Sequence, residues 1–288
     1  MLSNRLLRFS MACFSASSFI ASIPSEASEL IFTPSVSSGV TYLHYKQRAG
    51  FFPKSANTFG EYEVSGALPF IGGGLQMDYS PFYVSIAGHH TFKAEDSDDL
   101  IITRPPFGQQ VSLQSDFKRA DVSLIAGYLI NREFSLFAGY KYAKADIEND
   151  VSSKSDVPGF IGIQVDGALD VDVTYQGPTV GFAYDLAVGS LGGSLTFSSD
   201  ISYLLADITQ EFTPAPGSEQ GGLAGDADGR SLGYNLTLGW RGEVISKLYY
   251  MVIANTSWSD FDMDENVSDF TETEYRLRLG LMYQFDGL

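Results

Sequence analysis

Ten stretches of two-residue alternation, joined by connections that are short and long by turns, constrain this chain more than any other feature. The alternation runs through residues 34–46, 61–79, 82–95, 114–130, 134–149, 168–186, 193–212, 230–245, 248–264 and 272–285. A repeat of two means strands with one polar and one apolar face, and no comparable helical period competes with it. Ser80-Pro81, Asn131-Arg132-Glu133, Ala187–Gly192 and Ser246-Lys247 are tight turns, whereas 47–60, 96–113, 150–167, 213–229 and 265–271 are long segments. In an up-and-down sheet this strict order places every short turn at one end and every long loop at the other.

The two faces say which solvent each one meets. Leu232, Tyr234, Leu236, Leu238 and Trp240 share a face, opposite Ser231, Gly233, Asn235, Thr237 and Arg241. In 193–205, Phe197, Ile201 and Tyr203 oppose Thr196, Asp200 and Ser202. A soluble barrel would not turn its glycine-and-charge side inward, but a membrane barrel with short periplasmic turns and long outer loops does. The spacing therefore predicts an all-β fold, a transmembrane antiparallel up-and-down β-barrel of ten strands, with eight or twelve as alternatives. In 168–186 the apolar set changes phase, from Val171, Val173 and Tyr175 to Val180, Phe182 and Tyr184, which predicts a bulge at Gly177-Pro178. Aromatic rings are expected in two belts. Tyr79, Phe82, Tyr128, Trp240, Tyr249 and Tyr283 fall at the turn end, and Tyr42, Phe92, Tyr142, Tyr175, Trp258 and Tyr275 at the loop end.

Residues 1–27 read as a secretory signal peptide: Arg5 and Arg8, a short apolar run over 9–21, then small residues at Ser25 and Ala27. Cys13 lacks the preceding leucine of a lipidation site. The remaining 28–288 form one barrel domain without cysteine, which excludes disulfides and thiolate chemistry there. Its formal charge moves from −17 to −18, because Arg5, Arg8 and Glu26 leave together. Such acidity argues against nucleic acid and favours cations or basic surfaces.

Much of that acidity gathers at one end. Residues 95–116, 146–170, 207–228 and 260–274 hold 23 carboxylates against Arg104 and Lys154. Asp260, Asp262, Asp264 and Glu265 are the best candidate ligands for a weakly held divalent cation, calcium or magnesium. They lack the turn glycine and closing glutamate of a dedicated calcium loop; no other cofactor is expected. The segment 46–60 differs in carrying Lys46, Arg48 and Lys54 with Phe51 and Phe52 and no acid. This combination suits lipid phosphate. Parity points Arg119, Asp121, Lys141 and Asp200 into the lumen, together with Arg241, Glu243, Arg276 and Arg278. Asp121 and Lys141 are expected as diagonal partners across a hairpin. Ten strands leave a narrow or plugged bore, and buried charges in it must pair.

The last strand carries a resemblance. Arg278-x-Gly280-x-x-Tyr283-x-Phe285 resembles the insertion signal of bacterial outer-membrane proteins, which the barrel-assembly machinery reads. Asp286-Gly287-Leu288 continue past its final aromatic. Over 28–288, and most of all in the hairpin 127–148, the chain is similar to small outer-membrane barrels of the OmpA, OmpW and opacity-protein type. That resemblance implies a non-enzymatic protein of the Gram-negative envelope. Its partners would be outer-membrane lipids, lipopolysaccharide and an extracellular ligand, and its role structural support, adhesion or cation bridging. A narrow porin-like conduit is the alternative, and a hydrolase at the rim the third reading. Ten-stranded omptin proteases pair aspartates with an Asp/His set at the rim. Here His89 and His90 precede Glu95, Asp96, Asp98 and Asp99, but Asp207-Ile-Thr209 has threonine where that set needs histidine.

Overall fold

In the computed structural model, residues 30–49, 59–104, 107–153, 166–189, 192–216, 223–263 and 267–286 are described. The signal-peptide expectation for 1–27 lies outside them. Strands β1 (Ile31–Ala49), β2 (Phe59–Tyr79), β3 (Phe82–Thr91), β4 (Ala94–Arg104), β5 (Phe107–Leu129) and β6 (Phe134–Ser153) form the first half. The second half is β7 (Asp166–Val188), β8 (Gly193–Pro214), β9 (Leu223–Ile245), β10 (Leu248–Met263), β11 (Val267–Tyr283) and β12 (Phe285–Asp286). β3 and β4 are one strand interrupted at Phe92 and Lys93, and β11 and β12 one strand interrupted at Gln284. Ten antiparallel strands therefore cross, and β1 closes the barrel by pairing with both β2 and β11. At that seam Val40 stands between Pro69 and Leu277.

The short turns are local chemistry. Asn131 Oδ1 accepts hydrogen bonds from the Glu133 and Phe134 amides, both at 2.8 Å. Lys247 takes φ 67°, a left-handed conformation at the hairpin turn between β9 and β10, next to a register shift at Leu248 and Tyr249. At the other end the strands run further than their alternation predicts. The expected loop 96–113 is largely ladder, since β4 and β5 pair from Ala94↔Phe117 to Arg104↔Phe107. Likewise β11 already starts at Val267 rather than 272. Strands that have left the hydrocarbon carry acids and serines, and composition alone reads such stretches as loop.

Outward apolar residues form a band that stops well short of the strand ends. β9 is 23 residues long, yet its exposed apolar residues run only from Leu232 to Leu238 until the turn end, with Trp240 below them. About 9–11 tilted residues cross a bilayer, so roughly half of each long strand stands outside it. Above Leu205 and Leu232 the outward positions become polar and exposed, with Asp172 on β7, Asp207 and Thr209 on β8, and Asp228 and Arg230 on β9.

The interior inverts at the same height. Leu43, Ala145, Ile147, Val171, Val173 and Ile208 are buried inside the barrel in one apolar cluster, with Phe261 and Met263 closing it. The lower barrel is apolar outside and polar inside; the upper barrel is the reverse, as in a soluble protein. This accounts for the phase change in β7 without the expected bulge. Gln176↔Leu205 and Thr179↔Ser202 lie on one unshifted ladder with β8, so Gly177 and Pro178 interrupt pairing but not register. Val171, Val173 and Tyr175 face the lumen, and Val180, Phe182 and Tyr184 face lipid. Tyr175 is accordingly a core residue and not part of the outer belt, and Tyr249 packs inward against Met251, Ile253 and Met282, with Arg241 over its ring. Tyr42, Phe92, Tyr203, Trp258 and Tyr275 remain exposed at the upper edge of the band, and Tyr79, Phe82, Tyr128 and Tyr283 at its lower edge.

Candidate functional site: the layered lumen

Directly beneath the apolar cluster lies a layer of buried ions. Arg119 on β5 is its centre. Its guanidinium donates to Asp121 at 2.8–3.1 Å, to Glu272 on β11 at 2.7 Å and to the Tyr45 hydroxyl at 3.3 Å. The Tyr175 hydroxyl donates to both oxygens of Glu272 at 3.0 Å, while its ring lies 5.2 Å from the Arg119 carbon. Tyr45 and Tyr175 thus place their rings in the apolar layer and their hydroxyls in the ionic one, which suits amphipathic rings. Arg276 pairs with Glu274, donates to Thr41 at 3.1 Å and lies 3.9 Å from Asp121. His89 Nε2 is 2.9 Å from Asp121, and the imidazole packs edge-on against Phe70 at 5.1 Å. Arg276 and Arg278 both stack over Phe70, at 5.7 and 5.8 Å.

A second polar layer belongs to β6–β10. Lys141 pairs with Asp200, whose carboxylate also accepts from Thr179 at 2.9 Å and Asn235 at 2.7 Å. Asn255 extends the chain to Asn235 at 2.6 Å. Lys141 therefore reaches two strands away to Asp200, while Asp121 is taken by Arg119 and His89. The expected Asp121–Lys141 pair does not form, because guanidinium and imidazole reach that carboxylate first. Arg241 sits lower still, over the Tyr249 ring at 5.5 Å. Glu243, expected inside, is exposed where β9 runs out into its turn.

Two contributors were misplaced by pattern alone. Glu272 and Glu274, counted with the acidic loops, are 3% exposed inside the barrel. His89 is fully buried and His90 faces outward. The signal that finds these is parity: 272, 274, 276 and 278 are one face of one strand. The assembly-signal residues divide between the faces. Arg278 is buried in the lumen. A Cβ on Gly280 would meet Met251 at 2.4 Å and Val36 O at 2.7 Å, and Tyr283 and Phe285 are exposed with ring centroids 4.6 Å apart.

On the outer wall above the band, Lys93 pairs with Asp116 at 2.5 Å and Glu148 at 3.2 Å, and Lys118 with Asp146 at 3.4 Å. Hydrogen bonds to Asp116 and then Glu148 hold the Lys93 ammonium above the ordinary lysine pKa. Asp260 and Asp262 are exposed on the same outward face, with Asp262 opposite Arg230. Asp264 and Glu265 lie outside the described residues, as do Phe51, Phe52 and Lys54 of the basic segment. Among the described residues no group of three or more His, Cys, Asp or Glu side chains is placed to hold a metal. For the rim-hydrolase reading, His89 lies under the apolar cluster, and Asp207 and Thr209 face out from the wall rather than into a cleft.

No protein-family model matches the chain, and no curated protein does. Solved structures do. The outer membrane protease OmpT from Escherichia coli superposes with a TM-score of 0.58 at 13% identity, over 88% of this chain and 97% of that one. The translocator domain of the autotransporter NalP from Neisseria meningitidis gives 0.40 at 12% identity, over 91% and 90%. OprG from Pseudomonas aeruginosa gives 0.33 at 10%, over 88% and 95%. At these identities the OmpT match speaks for the fold alone. Together with a lipid-facing band built from strands, it makes the chain a ten-stranded bacterial outer-membrane β-barrel.

Proposed function

We propose that this protein is a closed, non-enzymatic barrel that works through the wall and loops it presents outside the membrane. The observation that carries this reading is the pair of seals in series across the lumen, an apolar layer above an ionic layer. An ion entering from outside would have to pass Phe261, Ile208 and Val173 unsolvated, a transfer that hydrocarbon-like surroundings make very costly. The same seals count against the narrow-conduit alternative. What remains accessible is a collar whose outward face carries Asp146, Asp172, Asp207, Asp226, Asp228 and Asp260, at the height where lipid headgroups begin. Oxygen donors of this kind attract hard cations, which bridge carboxylates to lipopolysaccharide phosphates and lend lateral support to the envelope or an adhesive surface. Planar-bilayer recording tests the reading: reconstituted protein should give no single-channel steps. Stable steps in the unaltered protein would overturn it.

A further inference from the structure

Outward from the apolar band, the first charged residue changes sign around the barrel. Just past β3, and on β5 and β6, it is Lys93, Lys118 and Lys144, whereas on β7, β8 and β10 it is Asp172, Asp207 and Asp260. The acids of the lysine sector follow one step further out, Asp116 beyond Lys118 on β5 and Asp146 and Glu148 beyond Lys144 on β6. They bind the three ammonium groups into one row without enclosing them. Glu148 lies 3.2 Å from Lys93 and 3.6 Å from Lys118, and Asp146 lies 3.4 Å from Lys118 and also pairs with Lys144. The three lysine side chains keep 51, 41 and 38% of their surface open, and each ammonium has three donors. Beneath the row the wall is low. Ala120 of β5 stands between His90 and Lys144, and Val122 between Gly88 and Tyr142. Cross-strand neighbours on one face are about 5 Å apart, so these small residues leave a shallow trough over β3 and β5, bounded by Tyr142. In the acidic sector the same level is filled by Tyr203, Leu232, Tyr234 and Trp258, with Tyr234 stacked on Trp258 at 5.9 Å.

We propose that this sector seats one phosphate-bearing lipid of the outer leaflet, its phosphate on the row of Lys93, Lys118 and Lys144 and an acyl chain in the trough below. Headgroup phosphates lie directly above the hydrocarbon, so on these strands they meet an ammonium group before any carboxylate, and cations at that level attract anionic lipid. A lysine row alone would draw any anion, and a trough alone any chain. Stacked in this order along the same strands, they fit an amphiphile. The inference rests on the reading of the outer wall as the working surface, and adds to it a direct phosphate contact that needs no bridging metal.

Folded protein in detergent, with excess EDTA so that no metal bridges, should be titrated with diphosphoryl lipid A and the bound lipid counted by native mass spectrometry. The unaltered protein should hold one lipid. Lys118→Gln should weaken binding about fivefold, the effect of one cation at an anionic membrane surface, and Lys93→Gln/Lys118→Gln/Lys144→Gln about a hundredfold. Arg230→Gln removes the first charge of β9 and should leave binding unchanged. Ala120→Trp keeps every charge, fills the trough and should lose the lipid. Heat-dependent gel mobility reports folding of each variant. If the triple variant does not fold, Lys118→Gln and Ala120→Trp decide. Equal affinity in the triple variant and the unaltered protein overturns the seat. So does a loss in Arg230→Gln as large as that in Lys118→Gln, which would mean diffuse attraction. Full binding by Ala120→Trp, or displacement of the lipid by millimolar inorganic phosphate, overturns a lipid as the occupant. Bilayer recordings judge the closed lumen separately, because none of these residues faces it.

Discussion

Arg119 and Lys93 pair with carboxylates on the same barrel, yet burial makes them different residues. Arg119 is 4% exposed and is the cation in direct contact with both Asp121 and Glu272, to which His89 and Tyr175 add hydrogen bonds and Arg276 a longer 3.9 Å approach. Breaking a buried pair from one side costs about 3–5 kcal/mol, because the remaining charges stay in a low-dielectric interior. Arg119→Met should therefore lower unfolding free energy in vesicles by about that much, read from denaturant titrations. Lys93 lies open to water against Asp116 and Glu148, where salt screens the attraction. Its pKa is raised, so whatever it contributes is fully present below the unfolded lysine pKa and disappears only as pH rises through the higher folded value. The stability difference between Lys93→Met and the parent should stay flat across neutral pH, shrink in strongly alkaline buffer, and fall with added salt. A difference that changed most in mild acid would assign the effect to the carboxylates instead.

At the scale of one strand, β11 records where the membrane ends. Leu277, Leu279 and Leu281 are 47–57% exposed and face lipid, Tyr275 marks the belt, and Thr273 and Thr271 continue the same outward face above it. A cation placed on the lipid face costs about 2–4 kcal/mol at mid-bilayer and about 0–1 kcal/mol near the interface. Leu279→Arg should thus impair folding into vesicles by roughly that larger amount and Thr271→Arg hardly at all. Equal penalties at both would mean that hydrocarbon reaches past Tyr275. The ten crossings, their direction and the lipid-facing residues were legible from the repeat of two, since that repeat is what a wall between two solvents imposes. The inversion of faces above the belt was present in the sequence too. Val171, Val173 and Tyr175 against Val180, Phe182 and Tyr184 spell it out, as do Ala143, Ala145 and Ile147 against Leu136, Ala138 and Tyr140. Read with one solvent rule for a whole strand, it looked like a bulge; read with a solvent that changes along the strand, it locates the headgroups. The ionic layer was half legible. Parity turned Arg119, Asp121, Arg276 and Arg278 inward, but which carboxylate meets which cation depends on side-chain reach across the bore. Glu272 and Glu274 were hidden by their position in an acidic stretch.

For the whole molecule, two seals of different chemistry in series have a consequence that neither has alone. The apolar layer holds because Phe261, Met263, Ile208 and Val173 exclude water, and the ionic layer holds because Arg119, Glu272, Glu274 and Arg276 fill the bore below it. Phe261→Ala removes a fully buried ring, and large-to-small changes of this kind cost about 3–5 kcal/mol. Melting should register that loss, but bilayer recordings should still give no steps, because the ions beneath are untouched. Removing Arg119 and Glu272 together with nonpolar substitutes leaves the apolar layer in place and should be silent as well. Only the combination of Phe261→Ala with Arg119→Ala and Glu272→Ala should open a continuous wet path, detectable as small conductance steps in variants that pass the gel-mobility check for folding. Steps from Phe261→Ala alone would show that the ionic layer conducts, and would return the narrow-conduit reading to first place. The order in which the seals must be broken is therefore the sharpest test of whether this barrel was built as a wall or as a gate.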